Sequence, residues 1–514
     1  MIVSSTTRPR VTIVMSIRER HALSEAAIDS IVADTPAPYR FLYLDVQSPP
    51  WLCETLERRA GEWNLEVVRF DEPLWPQEAR VRILGEIDTD FAVFIDNDVQ
   101  VEPSWLEALV RCADETGAGI VGPLYLWGDG IGRPMIHMAG GKLAEALAEG
   151  GRVLDESHYL MNVDPRQAAD ELVRRSCDFV EYHCMLVRTA LLQDDTVMDP
   201  RLRAVHEHID IALASIERGL PVYFEPASRV QYLAFATHML DDLDFLRKRW
   251  DRDEAEANIA LFCAKWGVVN DERSFGGVRE FLGEHVARVD PLRPAGTLFR
   301  DRDVAVRRDE LRQTRSDLLD LARERGYDAI DLANIDDAFL LAQQLMNGID
   351  RPCGRPFLNH LAGVASVLVR YGFRADTIAA GLLHSAYSHS PLGAHGPDAE
   401  KGNEGVCARL GGPDSAVEQR VRAYSHRESI WSALDEDPAA LSTLSVFEAE
   451  VIALAAANEV EMHLSGEVRN SGRTDTMDGT VLSIAVHVCR ALGVPGMAAT
   501  LLQLQQPSDA MQPM

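Results

Sequence analysis

Short apolar runs alternate with helical stretches through the first 130 residues of the chain, and this alternation constrains the fold most strongly. Strands that alternate with helices form crossover units, and such units bring their strands together in a mainly parallel sheet. Most of the runs are continuously apolar, which is typical of strands that are buried on both faces. We predict strands at Val11–Met15, Phe41–Leu44, Glu66–Phe70, Phe91–Ile95 and Gly119–Pro123.

The length of the chain, 514 residues, exceeds what a single hydrophobic core usually supports, so we expect more than one domain. Charged residues are dense from about residue 290 to residue 325, and the readable stretches beyond that segment have helical periodicity. We therefore predict an α/β domain over residues 1–285, a charged linker and helix over residues 286–328, and a second, all-α domain over residues 329–505.

The formal net charge is −29, from 80 acidic and 51 basic side chains. A surface this acidic repels nucleic-acid backbones and anionic lipids, so we expect neither as a partner. No apolar run approaches the roughly 20 residues that span a bilayer, and the N-terminus has no signal-peptide pattern. The 8 cysteines include no Cys-x-x-Cys pair, which favours free thiols in a reducing compartment. We therefore expect a cytoplasmic protein without an integral membrane segment.

Two aspartates follow a buried strand in the segment Phe91-Ala-Val-Phe-Ile-Asp-Asn-Asp98. Residues two apart in an extended chain point to the same side, so Asp96 and Asp98 can address one ligand. Ligands of open α/β sheets bind at the carboxyl ends of the strands, and carboxylates suit hard cations such as Mg²⁺ or Mn²⁺. Such a cation would join this acidic protein to a diphosphate. The alternative is a simple turn, because Asn and Asp both favour turns.

Three segments occur in the order found in family 2 glycosyltransferases, and the N-terminal half resembles that family, which has the GT-A fold. The segments are Val11–Arg20, Pro76–Arg80 with its Ala-Arg pair, and Thr89–Asp98 with its Asp-x-Asp motif. The resemblance covers roughly residues 10 to 270. It implies transfer of a hexose or related sugar, with inversion, from a nucleoside diphosphate donor to an unknown small-molecule, glycan or peptide acceptor. It also implies Mn²⁺ or Mg²⁺ as the cofactor.

The resemblance implies roles for individual side chains of this nucleotide-sugar site. Asp98 would be the direct metal ligand and Asp96 its partner. The side chains expected to bind the nucleotide lie in the first strand and its loop, after the second strand, in the Ala-Arg pair and in the metal motif, namely Ser16, Arg18, Asp45, Arg80, Asp96 and Asn97.

A second acidic cluster, His206-Glu-His-Ile-Asp210, begins a predicted helix. An inverting transferase needs a base that removes the proton of the attacking acceptor group. The pattern resembles the Glu-Asp-x-Asp or Glu-His-x-Asp that family members place there, so Glu207 and Asp210 are both candidate bases. The alternative is that acidic residues simply favour the N-terminus of a helix.

The sequence departs from the family pattern at two positions that affect the site. Tyr232 stands where many relatives have a histidine that joins the metal site, so the third metal ligand is open. Val81 stands where an asparagine often follows the Ala-Arg pair. His137 lies where acceptor contacts usually occur, but a lone histidine in a loop is more often structural.

The C-terminal helical region resembles the HD superfamily of metal-dependent phosphohydrolases at His360, in Asn-His-Leu-Ala-Gly, and at His384, in Leu-Leu-His-Ser. Ser385 replaces the aspartate of the motif, and Asn458 stands where the last aspartate belongs. Neutral side chains supply little of the charge that holds a divalent cation. We therefore expect an HD-like fold without phosphohydrolase activity. An active HD-type nucleotide phosphohydrolase and a non-catalytic nucleotide-sugar-binding protein are the alternatives.

Overall fold

The structure is a computed structural model that describes residues 8–128, 134–148, 151–203, 205–294, 296–391, 399–468, 477 and 479–504. The chain divides into two compact units, Met1–Val286 and Ala287–Met514. The three-part division predicted from the sequence, with a separate linker over residues 286–328, stays a prediction. Its last residue, 505, lies outside the described residues.

The first unit is built around a large mixed sheet, accompanied by a two-stranded hairpin. Within the described residues, its strands are β1 Val11–Ser16, β2 Arg40–Asp45, β3 Glu66–Arg69, β4 Phe91–Asp96, β5 Val99–Val101, β6 Ile120–Trp127, β7 Met135–Met138, β8 Gly141–Ala148, β9 Gly151–His158, β10 Arg175–Cys177, β11 Cys184–Arg188 and β12 Val222–Tyr232. The sheet order is β10-β12-β6-β11-β4-β1-β2-β3, with β5 beside β12 and β7 beside β6, and β8 and β9 form the hairpin.

Strands β3, β2, β1 and β4 are parallel neighbours, and β12 is parallel to β6. Strand β11 runs antiparallel between β4 and β6. The predicted fold class, a mainly parallel α/β domain followed by a helical region, is therefore confirmed. The hairpin of β8 and β9 has no counterpart among the predicted strands, because its sequence lacks a regular alternation of apolar and polar residues.

Helices in the first unit follow the strands as the sequence pattern indicates. Helix α4 illustrates the reason, because Trp105, Leu109 and Cys112 lie on one face and are all fully buried. The described helices that begin in this unit are α1 Ser24–Asp34, α2 Pro50–Trp63, α3 Pro76–Arg82, α4 Trp105–Thr116, α5 Thr189–Leu192, α6 Glu207–Glu217, α7 Leu243–Arg249, α8 Arg252–Trp266 and α9 Glu272–Val289.

The pairing of the central strands brings their carboxyl ends to one edge of the sheet. Ser16, the last residue of β1, pairs with Asp96, the last residue of β4. On its other side Ser16 pairs with Leu44 of β2, so Asp45 ends at the same edge. Ligand sites of open α/β sheets form at such an edge.

The second unit is helical. Its N-terminal segment packs on its own helices, since Arg302 donates to the Tyr371 carbonyl at 2.8 Å and the Val306 amide donates to Thr500 Oγ1 at 3.0 Å. None of the helices in the described part of the chain is long and apolar enough to cross a membrane. The described helices of this unit are α10 Arg315–Glu324, α11 Ala329–Met346, α12 Phe357–Tyr371, α13 Ala375–Leu383, α14 Ala386–His389, α15 Ala399–Arg409, α16 Ala416–Ser425, α17 Arg427–Glu436, α18 Val446–Leu464, α19 Gly479–Ala491 and α20 Pro495–Leu504.

Candidate active site at the ends of β1 and β4

The carboxylate of Asp96 is fully buried at the end of β4, where three basic side chains contact it. Arg18 Nη1 donates to Oδ2 at 2.8 Å, His183 Nδ1 lies 3.0 Å from the same oxygen, and Arg80 Nη2 donates to Oδ1 at 3.0 Å. Burial alone would raise the pKa of Asp96, but the charge of Arg18 and the hydrogen bond from His183 hold it well below its ordinary value. Asp96 is therefore an anion at neutral pH.

Asp98 has one carboxylate oxygen that is paired and one that is not. Arg20 Nη1 donates to Oδ2 at 2.7 Å. The other oxygen, Oδ1, is buried and has no hydrogen-bond partner among the described residues. A buried anionic oxygen without a partner is costly unless a ligand satisfies it. This oxygen is therefore the strongest local indication of a ligand at the edge of the sheet.

A divalent cation fits this donor set. Asp96, Asp98 and His183 can each offer a ligand atom, and the three atoms lie within 4.8 Å of one another. Carboxylate oxygens suit Mg²⁺ and Mn²⁺. Because an ionised carboxylate only accepts hydrogen bonds, Nδ1 of His183 must carry the proton that faces Asp96. His183 thus orients Asp96, and the unpartnered oxygen of Asp98 is the open ligand position.

Asn97 organises the loop that follows β1 and so positions the arginines of the site. Its side-chain Nδ2 lies 3.3 Å from the Glu19 carbonyl, 3.2 Å from the Arg20 carbonyl and 3.1 Å from Ser24 Oγ. Its Oδ1 accepts a hydrogen bond from the Arg18 amide at 3.0 Å. The amide group of Asn97 is therefore used to hold the loop. Arg20 takes the left-handed backbone conformation, with φ of 65°, within this loop.

Ser16 and Arg80, both singled out in the sequence, contact each other. Arg80 Nε donates to Ser16 Oγ at 3.0 Å while its Nη2 reaches Asp96. The guanidinium carbon of Arg80 lies 4.2 Å from the centroid of the Tyr182 ring, a cation–π contact. These three contacts fix the orientation of a side chain that is almost completely buried.

Asp45 ends β2 at the same edge but has different partners. Its Oδ1 accepts a hydrogen bond from the Ser48 amide at 3.0 Å, and its Oδ2 lies 3.3 Å from Arg69 Nε. Strand β1 separates it from Asp96. The structure therefore places Asp45 in a neighbouring part of the edge.

The two candidate bases at the start of α6 lie in different surroundings. Burial alone would lower the pKa of Arg18, but negative charges that include Asp96 and Glu207 raise it above its ordinary value. Glu207 thus lies near the arginines of the site. Asp210 instead receives hydrogen bonds from Lys265 Nζ at 2.9 Å and from Trp266 Nε1 at 2.8 Å.

Residues 12–193 match the family model described as glycosyl transferase family 2. The chain contains a family 2 glycosyltransferase domain. This match confirms the resemblance to family 2 glycosyltransferases over residues 12–193. The matched part of the glycosyltransferase domain includes Asp96, Asp98 and His183, whereas Glu207 and Asp210 lie beyond it.

Two solved structures are similar to parts of this chain. The crystal structure of GalNAc-T7 with UDP, GalNAc and Mn²⁺ is 16% identical, with a TM-score of 0.37, and the match covers 55% of this chain and 57% of that one. S. aureus TarS is 15% identical, with a TM-score of 0.33, and the match covers 70% of this chain and 54% of TarS. The chain therefore spans little more than half the length of either protein. A search of curated proteins found no match.

Sequence reasoning missed three side chains around the candidate site, namely Arg20, Glu181 and His183. They contact the aspartates, or each other, from segments that are distant in the sequence, since His183 and Asp96 are 87 positions apart. No short motif surrounds His183. One indirect signal was present in the sequence, which was that Tyr232 stands where a metal-site histidine was expected. The ring of Tyr232 stacks on His183 with a centroid distance of 3.8 Å.

The helical unit contains a separate buried cluster around His360. Its Nδ1 lies 2.5 Å from Glu461 Oε2, and Glu461 and Glu467 complete a set of three side chains that could hold a metal ion. Arg355 donates to Glu461 at 2.8 Å, and Arg351 Nε donates to Glu467 at 2.7 Å. These arginines already neutralise both carboxylates.

His384 lies beside this cluster, with its ring centroid 5.4 Å from that of His360. Its Nδ1 donates to the Gly381 carbonyl at 2.8 Å. The HD-like fold, the absence of phosphohydrolase activity and the roles of Ser385 and Asn458 stay predictions.

Proposed function

We propose that this protein transfers a sugar from a nucleoside diphosphate donor to a hydroxyl or amine of an acceptor, with inversion at the anomeric carbon. The observation that carries the proposal is the buried, unpartnered Oδ1 of Asp98 at the edge where nucleotides bind in such sheets. Together with the family match, it supports a site for a metal-bound diphosphate. The sugar is a hexose or a related one.

Asp98 and Asp96 would hold Mn²⁺ or Mg²⁺, which would neutralise the negative charge of the departing diphosphate. The protein's own contribution is to keep these groups in place before the donor arrives. Arg80 and His183 hold Asp96, and Arg18, whose side chain is 13% exposed, can direct its remaining N–H groups to a phosphate oxygen. Ser16 fixes Arg80.

We assign the base to Glu207 and a structural role to Asp210. In the transfer, the acceptor oxygen or nitrogen forms a bond to the anomeric carbon, the bond from that carbon to the diphosphate breaks, and Glu207 takes the acceptor proton. Asp210 is fully buried and its two oxygens are engaged by Lys265 and Trp266, which leaves it poorly placed to reach an acceptor. Glu207 instead lies near Arg18 and Arg80, which belong to the donor site.

We also place the protein in the cytoplasm. All eight cysteines are free thiols in the structure, three of them buried. Unpaired thiols are typical of proteins in a reducing compartment. The absence of disulfides in the protein purified without reductant would support this placement.

The test is release of nucleoside diphosphate from a panel of UDP-, GDP- and dTDP-sugars, assayed with Mn²⁺ in the wild type and in Asp98→Asn. We expect turnover of at least one donor, and a loss of about 100-fold or more in the variant. Asp88→Asn is the matched control, because Asp88 forms an exposed ion pair with Arg8 in the same unit. Near-wild-type turnover in Asp98→Asn would refute the metal role.

Calorimetry on the same proteins distinguishes catalysis from binding alone. Chelator should weaken UDP or GDP binding to the wild type. Tight nucleotide binding whose affinity does not change with chelator, without turnover of any donor, would instead show a non-catalytic nucleotide-sugar-binding protein.

A further inference from the structure

Three histidines converge on the carboxylate of Glu181, next to the candidate donor site. His137 Nε2 lies 2.7 Å from Glu181 Oε2, and His183 Nε2 lies 3.3 Å from the same oxygen. His158 Nε2 lies 3.6 Å from the other oxygen, Oε1. The side chains come from β7, the end of β9 and the segment before β11, so the tertiary fold alone brings them together.

The cluster is enclosed by aromatic rings and largely removed from water. His137 is 6% exposed and His183 is 7% exposed. The Trp127 ring lies 4.6 Å from the His137 ring, and the Tyr232 ring stacks on His183. The Glu181 side chain keeps 16% exposure, which leaves a route for a small ion from solvent.

The hydrogen bonding of His183 defines the chemistry at its other nitrogen. Nδ1 donates its proton to the Asp96 carboxylate, so the neutral ring has a lone pair on Nε2. This nitrogen lies 3.3 Å from the Glu181 oxygen, so the pair can share a cation, either a proton or a metal ion. A carboxylate that holds the far nitrogen of a histidine is the usual arrangement behind a metal ligand.

Three ligand atoms of this cluster lie within reach of one small ion. His137, Glu181 and His183 can each offer a ligand atom, and these atoms lie within 4.8 Å of one another. Zinc bonds to histidine and carboxylate are about 2.0–2.2 Å long, so tetrahedral ligands lie about 3.3 Å apart. The separation of His183 Nε2 from Glu181 Oε2 has this value, and the 2.7 Å between His137 Nε2 and that oxygen would lengthen when an ion enters.

We propose that His137, His183 and Glu181 form a zinc site, with water in a fourth position and Asp96 orienting His183. Two imidazoles and one carboxylate suit Zn²⁺, whereas Mg²⁺ and Mn²⁺ favour sets made of oxygen. The site shares His183 with the set of Asp96, Asp98 and His183, but it uses Nε2 of that ring and not the open oxygen of Asp98. It does not depend on the proposed sugar transfer. Asp96 contacts both sites, since it binds His183 and belongs to the donor motif.

The test uses untagged full-length protein, stripped with chelator and then titrated with ZnCl₂ by calorimetry and with CoCl₂ by visible absorption. We expect one equivalent of zinc and an intense cobalt spectrum of nitrogen and oxygen ligands. His137→Gln and Glu181→Gln should each weaken zinc binding by about 100-fold or more. His463→Gln is the matched control, because His463 also pairs with a glutamate, Glu459, at 3.1 Å.

The Asp98→Asn variant distinguishes the zinc site from the donor site, because it should still bind one equivalent of zinc even if it loses turnover. Loss of zinc in Asp98→Asn, or wild-type affinity in both His137→Gln and Glu181→Gln, would overturn the proposal. The absence of zinc binding at micromolar concentration in the wild type would also overturn it. Zinc should raise the melting temperature of the wild type by mass action and leave that of a correctly folded Glu181→Gln unchanged.

Discussion

The ammonium of Lys265 lies 2.7 Å from Asp210 Oδ1, and this ion pair joins α8 to the first turn of α6. Asp210 is fully buried, and burial raises its pKa above the ordinary value although Lys265 and Trp266 oppose the shift. Glu207, one turn earlier, lies near the arginines of the candidate site instead. The two acidic residues of this helix therefore lie in different surroundings.

Glu207→Gln should lower turnover by about 10²- to 10⁴-fold, which is the contribution expected of a general base. Its melting temperature should stay near that of the wild type. Asp210→Asn should instead lower the free energy of unfolding by about 1–3 kcal/mol, because it leaves Lys265 beside a neutral partner. Turnover and melting curves of both variants check this division, and a stable but inactive Asp210→Asn would reverse it.

Arg80→Lys should reduce kcat/KM for the donor by about 10- to 100-fold. A lysine ammonium is a single point charge, so it cannot reproduce the two hydrogen bonds to Ser16 and Asp96 together with the stacking on Tyr182. Steady-state kinetics with a donor that the nucleotide-sugar panel identifies provide the measurement. Arg82→Lys is the control, because Arg82 forms a half-exposed ion pair with Glu72, and equal losses in both variants would contradict the prediction.

The stability of the helical unit should fall as the pH drops below about 6.5. Burial and the nearby His360 hold the pKa of His384 well below its ordinary value, so the unfolded chain binds the proton more readily in this range. Stability is thus fully present above the unfolded pKa and declines as pH falls toward the folded one. In His384→Gln the free energy of unfolding should therefore fall less steeply with decreasing pH, by up to about 1.4 kcal/mol per pH unit.

Melting curves at pH 5, 6 and 7 in the presence of chelator measure this dependence. His426→Gln, which changes an exposed histidine of the same unit, should keep the wild-type slope. An unchanged slope in His384→Gln would show that other groups cause the loss.

Gly141→Ala should destabilise the first unit by about 1–3 kcal/mol. A Cβ at this position would lie 2.3 Å from the buried ring of Phe179, which cannot retreat. Gly61→Ala should have the opposite sign and stabilise by about 0.5–1 kcal/mol, because its Cβ meets no described atom within 4 Å in α2. Melting temperatures that shift in the same direction for both variants would contradict this prediction.

The fold class could be predicted because it depends on local signals. The apolar residues that predicted a strand at Phe91–Asp96 are the ones buried in it. Its last residue pairs with the last residue of β1. The hairpin of β8 and β9 was not predicted from the sequence, because its pairing depends on residues of the opposite strand and its residues lack a regular period.

The sequence by itself determined that two aspartates end a buried strand and that acidic residues open a later helix, because both features depend on neighbours in the chain. Only the tertiary structure decided which side chains complete the site. Arg18 reaches Asp96 across 78 positions, and Lys265 reaches Asp210 across 55. Such contacts depend on how strands and helices are packed, and no local pattern encodes the partner that a buried carboxylate will find.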